Sequence, residues 1–301
     1  MTPGSIAAQA SVRRWQLDDL TFTYVVDGAM WLAARAFLRA IPQAYWDAHP
    51  DELGPDGYVA MSTGGLLVES PDVTMLIDAG MGQVVAESLL GRNDCGEFLN
   101  ILAGLGVERD AIDVCALTHL HVDHAGWTFT HDEGGSRQPS FPRAKYAMAE
   151  AEWVPLLRGE HPLGTSDREA VLDPLREHPN LTLISDGDEV APGVRALVTP
   201  GHSAGHTSYV ITSAAGNRLI AFGDAFHVPA QLGHPEWGSA PDVMPALVPA
   251  ARARLLDELC RPDTFAFAIH FGDQPFGQVV CDADTARWHP VPTDVVSGPP
   301  R

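Results

Sequence analysis

Short apolar runs separated by Gly, Pro and Asp predict strands and helices in succession along this chain. Residues 20–26 alternate apolar and polar side chains as an entering strand does, and residues 31–41 have the spacing of a short amphipathic helix. Residues 65–68 and 73–77 read as strands, and 81–90 and 98–105 as helices. These lead into an apolar stretch holding Ile112, Val114, Ala116 and Leu117, the composition of a buried strand. The second half repeats the layer order, with strands at 181–184, 194–198, 208–212 and 219–222, a helix through 250–259 and a closing strand at 265–269. No short-period repeat or low-complexity tract interrupts the pattern. The expectation is a single α/β domain over 1–301 made of two αβ halves, with its core at about 16–290 and residues 295–301 as a loose tail.

The chemistry begins where the strand at 112–117 ends, in Thr118-His119-Leu120-His121-Val122-Asp123-His124. Three imidazoles and a carboxylate stand within one turn there. A chain that leaves a strand and turns sharply can point His119 and His121 one way and Asp123 and His124 another, so one loop can serve two ions. Further ligand types follow at strand ends: His202 in Thr199-Pro200-Gly201-His202, Asp224 in Phe222-Gly223-Asp224, and His270 in Ala268-Ile269-His270-Phe271-Gly272. A lone histidine on an apolar strand is usually a hydrogen-bonded core residue, and His202, His206 or His270 taken singly would be read that way. Four ligand-type residues in six positions at a strand end are not loop filler. Imidazole nitrogen and carboxylate oxygen suit zinc first, and also admit manganese, iron or cobalt.

With these residues in order, the chain resembles the metallo-β-lactamase superfamily over most of its length. The HxHxDH run is that superfamily's signature, and Val73-Thr74-Met75-Leu76-Ile77-Asp78-Ala79-Gly80 resembles its upstream strand and Asp-x-Gly turn. The resemblance implies a four-layer αββα sandwich and two divalent metal ions. It assigns His119, His121 and His202 to one ion, Asp123, His124 and His270 to the other, and Asp224 to both, with Asp78 orienting a ligand histidine. His121 stands where the flavodiiron oxygen reductases typically carry Glu, which sets that branch aside. The layout around Gly223-Asp224-Ala225-Phe226-His227 is similar to the N-acyl homoserine lactonase and methyl parathion hydrolase branches. The best-known lactonases carry tyrosine three residues after the bridging Asp, where this chain has His227. That residue is expected either to donate a proton to the leaving group or to line the pocket. Asp123 is the expected carrier of the proton from the attacking water. Gly126-Trp127 replaces the usual Gly-Gly, which puts Trp127 at the pocket mouth or in the core.

The implied activity is hydrolysis of a lactone or carboxylic ester by a metal-bridging hydroxide, since two cations sharing a water lower its pKa to around neutrality. The alternatives are an organophosphate triester or aryl ester hydrolase, then a thioesterase, then a non-catalytic small-molecule binder. Met30, Trp31, Phe37, Tyr45 and Trp46 form an aromatic-rich insertion at 30–60, expected to pack on the sandwich or to form a lid. Phe226, His234, Trp237, Phe271 and Phe276 flank the ligands and are expected at the pocket wall.

A formal net charge of −20 argues against nucleic acid or an anionic membrane surface as partner, and leaves a small-molecule ester or lactone. Cys95, Cys115, Cys260 and Cys281 have no paired metal spacing and are expected to be buried thiols. With no apolar run behind a basic start and none long enough to span a bilayer, the expectation is a cytoplasmic protein. Kinship of fold suggests a homodimer.

Overall fold

The computed structural model describes residues 3–282 and 285–298. Its two longest strands, Leu20–Ala33 and Tyr58–Glu69, are buried over most of their length because each of their faces is covered. Phe22, Tyr24, Val26, Leu66 and Val68 point toward Val194, Ala196, Tyr209, Ile211 and Leu219 of the opposing sheet. Their neighbours Val25 and Leu67 point the other way, toward Phe98, Leu102, Trp153 and Leu175 on the outer helical layer. This period-two division is the sequence's means of specifying two cores from one strand. On the far side, Ile220, Phe222, Ala266 and Ala268 pack against Leu255 and Leu259 of the helix Val248–Leu259. Helix, sheet, sheet and helix are thus stacked in four layers, and full burial of each large apolar side chain contributes about 1.5–3 kcal/mol.

The first sheet runs Leu181–Ile184, Lys145–Ala149, Val114–Ala116, Thr74–Ile77, Tyr58–Glu69, Leu20–Ala33, Val12–Leu17 and Asp294–Ser297. The second runs Glu189–Ala191, Val194–Val198, Thr207–Thr212, Arg218–Ala221, Thr264–Phe267, Phe276–Cys281 and Ala286–Pro290. Val114–Ala116 lies parallel to both its neighbours, and Arg218–Ala221 lies parallel to Thr264–Phe267. The loops leaving Val114–Ala116, Arg218–Ala221 and Thr264–Phe267 carry the candidate ligands except His202, which follows Val194–Val198, a strand antiparallel to both its neighbours.

Several local expectations are corrected. Residues 31–41 do not form one helix: Trp31, Leu32 and Ala33 continue their strand, paired with Ala60, Val59 and Tyr58 on one side, and only Ala34–Phe37 is helical. Residues 81–90 form no helix: from Val84 on they belong to a hairpin, Val84–Ser88 with Gly91–Cys95, whose second strand pairs with Leu20–Ala33. The tail is anchored through Asp294–Ser297, whose Val295 and Ser297 sit opposite Arg13 and Val12, while 299–301 lie outside the described residues. Cys260 and Cys281 are joined as a disulfide with Cα atoms 5.7 Å apart, tying the end of the helix Val248–Leu259 to a sheet strand. Cys95 and Cys115 are the buried thiols.

Candidate metal centre

The facing layers of the sandwich bring all seven candidate ligands together in two groups that share Asp224. His119, His121, His202 and Asp224 form one, Asp123, His124, His270 and Asp224 the other, and within each group the ligand atoms lie within 4.8 Å of one another. Every one of these residues is buried. The run His119–His124 enters from the first sheet after Val114–Ala116, with Val122–Ala125 wound into a helical turn that separates Asp123 and His124 from His119 and His121. The second sheet contributes the rest from three loops, after Val194–Val198, Arg218–Ala221 and Thr264–Phe267.

Asp224 presents one oxygen to each group. Its Oδ1 lies 3.0 Å from Nε2 of both His124 and His270. Its Oδ2 lies 3.1 Å from His202 Nε2 and 3.8 Å from His119 Nε2. Asp123 Oδ2 approaches His124 Nε2 at 3.4 Å and His270 Nε2 at 3.5 Å.

Four of the ligand histidines are braced on their other nitrogen. His124 Nδ1 meets Asp78 Oδ2 at 2.9 Å. His119 Nδ1 meets Thr118 Oγ1 at 3.0 Å, and that hydroxyl donates to Asp78. His202 Nδ1 meets Asp242 Oδ1 at 3.0 Å, and His270 Nδ1 donates to the carbonyl of Ser62 at 2.9 Å. Such braces set tautomer and ring orientation so that the second nitrogen is presented as a lone pair. Asp78 achieves its reach from a left-handed backbone position, φ 66°, in the turn after Thr74–Ile77.

Metal ions fit the space these atoms leave. Nε2 of His119, His124 and His270, together with Asp224 Oδ1, are buried without a hydrogen-bond partner, and His121 turns Nδ1 toward its group, 2.9 Å from His202 Nε2. Each such atom costs about 1–3 kcal/mol if nothing occupies its lone pair, and their convergence on two points is what a pair of cations would relieve. The electrostatics divide the ligands: burial and the neighbouring imidazoles of His124 and His121 hold His119 well below the usual imidazole range, so it presents a neutral donor, whereas at His124 burial is outweighed by Asp224, Asp123 and Asp78, which favour a cation there. At His202 burial acts in the same direction but is outweighed by Asp224 and Asp242, which raise it to about 9.

His206, the other histidine of the 200–206 loop, stays outside both groups. Its Nδ1 meets Thr199 Oγ1 at 2.9 Å and its Nε2 accepts from the backbone N–H of Asp224, so it orients that ligand's backbone. His227 is fully buried, with Nε2 3.2 Å from Asp224 Oδ2 and Nδ1 unpaired. The ring of Phe37 meets it edge-on at 5.3 Å. Burial, partly offset by Asp224, holds His227 below the ordinary imidazole range.

Phe226, Phe271 and Phe276, expected at the pocket wall, are core residues: the first two join Phe222 in an aromatic cluster and the third packs between the sheets. Trp237 packs on Tyr45 and stacks on His234. Trp46, Leu38 and Ile41 pack with Val228 and Ala230, so the aromatic insertion lies against the loop that follows His227. Trp127 donates from Nε1 to Asp27 Oδ1 at 2.9 Å. Asp27 was not singled out from the sequence, yet it also accepts from the backbone of Met81, Gly82, Gly96 and Phe98 and so ties the Asp78 turn to the end of the ligand run. A single acid inside Tyr24-Val25-Val26-Asp27-Gly28-Ala29-Met30 was the available signal. Asp242 and Glu152 were also missed, and neither stands in a sequence context that distinguishes it from an ordinary turn or helix acid.

The metallo-beta-lactamase superfamily profile matches residues 65–264, two thirds of the chain and all the ligands but His270. The chain belongs to the metallo-beta-lactamase superfamily. Within that superfamily it is 29% identical over 168 residues to the N-acyl homoserine lactonase AiiA of Bacillus thuringiensis subsp. kurstaki, a match covering 51% of this chain and 60% of that protein. The chain therefore spans less than two thirds of the length of this curated relative. Among solved structures, AidC, described as a dizinc quorum-quenching lactonase in complex with a product, superposes with a TM-score of 0.78 at 22% identity, over 94% of this chain and 98% of the other. The hydrolase AbOPH superposes with a TM-score of 0.75 at 21% identity, again over 94% and 98%. These two structural likenesses bear on the superfamily fold alone.

Proposed function

We propose that this chain is a dinuclear metal-dependent hydrolase that opens lactone rings, with N-acyl homoserine lactones as the substrate class and zinc as the metal. The observation that carries the reading is the division of Asp224, one oxygen toward His124 and His270 and the other toward His119 and His202. His119, His121 and His202 would hold one ion, Asp123, His124 and His270 the other, and Asp224 both. When bound, two such ions supply a water ionised near neutral pH and Lewis acidity at a carbonyl.

The remaining work falls to side chains. Asp123 stands at the edge of its group, farther from its histidines than Asp224 is, and its carboxylate can take the proton of the attacking water and return it to the leaving alkoxide. His227, its Nε2 engaged with Asp224, serves as a neutral support that fixes that carboxylate's orientation rather than as the acid. Phe37 and the insertion around it would furnish an apolar wall beside His227, suited to an acyl chain.

The lactone reading is favoured over phosphotriester hydrolysis by the lactonase relatives, and the mixed donor set is common to both. A panel of acyl homoserine lactones, aryl esters and a phosphotriester, hydrolysed by purified protein of known metal content, tests the choice. Strong lactone turnover that is lost in His121→Ala is the expected result. Preference for the aryl ester or phosphotriester would refute it.

A further inference from the structure

Glu152 is a buried carboxylate outside both ligand groups, on the helix Glu150–Leu157. Its Oε1 accepts from the backbone N–H of Leu120, the residue between His119 and His121, at 3.1 Å. Its Oε2 accepts from the Ser203 hydroxyl and from the Gly205 N–H, each at 2.7 Å. Ser203 directly follows His202, and Gly205 directly precedes His206, which in turn receives the backbone N–H of Asp224. The two loops so joined come from different sheets. We infer that Glu152 is a positioning residue that locks the His119–His121 loop to the His202 loop, and so aligns the three histidines of one metal group.

Three features support the assignment. The three donors that Glu152 accepts from, at Leu120, Ser203 and Gly205, flank His119, His121 and His202, the histidines of one group, whereas Asp123 and His124 lie further along the same run in the helical turn Val122–Ala125. The approach is close: a Cβ at Gly205 would stand 2.3 Å from the Glu152 nitrogen, so the loop reaches the helix only because glycine is there. The three donors need acceptor capacity on both oxygens at once. A carboxylate supplies it, whereas an amide has one accepting oxygen and would turn its own N–H groups against donors on the other side.

The sheets have other links near this point, from Thr207 N to the Thr118 carbonyl and from the Tyr209 hydroxyl to the Leu117 carbonyl. Loss of the Glu152 bridge should therefore loosen the ligand loops while the sandwich stays assembled.

This inference rests on the dinuclear reading, and metal titration of the metal-free protein with zinc or cobalt against a competing chelator separates the two. Wild type should bind two ions. Glu152→Gln should bind one ion with near wild-type affinity and the other at least about tenfold more weakly, the scale of losing an outer support of a ligand, with an altered cobalt absorption band from one site only. Ser203→Ala, which removes a single bond and leaves the fold safe, should weaken the same ion to a smaller degree. Equal weakening of both ions, or two ions bound as in wild type, would overturn the positioning role while leaving the dinuclear reading intact. Failure of the wild type to bind two ions would overturn the reading itself.

Discussion

The two sheets supply the metal centre in different ways. The first offers His119, His121, Asp123 and His124 from one loop, so their relative placement follows from a few backbone torsions and a single helical turn. The second offers His202, Asp224 and His270 from three loops, each held by a separate brace: Asp242 for His202, His206 for Asp224 and the Ser62 carbonyl for His270. Contiguous ligands share their support, as His119 and His124 share Asp78. Dispersed ligands each need their own. Loss of Asp78, the brace shared by a histidine of each group, should therefore spread across both ions, whereas loss of Asp242, which braces His202 alone, should stay with one.

The comparison yields a graded set of outcomes. Asp78→Ala removes support from a histidine of each group and leaves the Thr118 N–H without its acceptor, so both ions should bind about 10–100-fold more weakly by competitive chelation. Asp242→Ala should weaken one ion by about tenfold and leave the other unchanged, and equal loss at both would break the distinction between the sheets. His227→Gln keeps a donor near Asp224 and should retain two ions, with kcat lowered by about tenfold or less; a loss on the scale of about 10²–10⁴ would mark His227 as a general acid. Cys260→Ser should cost about 2–4 kcal/mol of stability in denaturant titration by opening the 21-residue closure, with metal affinity unchanged.

The same contrast explains what could be read from the chain. HxHxDH was legible because its chemistry is concentrated, and the strands carrying it were legible because Val114, Ala116, Leu197 and Ala221 sit in apolar runs. Residues 31–33 and 84–88 misled because their spacing admits a helix, while pairing with partners distant in sequence, Tyr58–Ala60 for one and the hairpin arm Gly91–Cys95 for the other, makes them strands. Leu89 and Leu90, read as the end of a helix, lie exposed at the hairpin turn. The disulfide joins residues from a helix end and a strand whose proximity no local pattern encodes. Asp242 and Glu152 acquire their roles only when the loops of the second sheet meet the first. Asp78 was legible because the turn that presents it lies next to its strand.

The central claim is that Asp224 joins two metal ions in one site. Counting the ions bound per chain in wild type and in Asp224→Ala, by elemental analysis after removal of free metal, tests it most directly. The account predicts two in wild type and loss of at least one in the variant, with lactone turnover falling by about 10³-fold or more, as removal of several kcal/mol of metal assistance implies. A wild type holding fewer than two ions, or a variant still holding two, would contradict it.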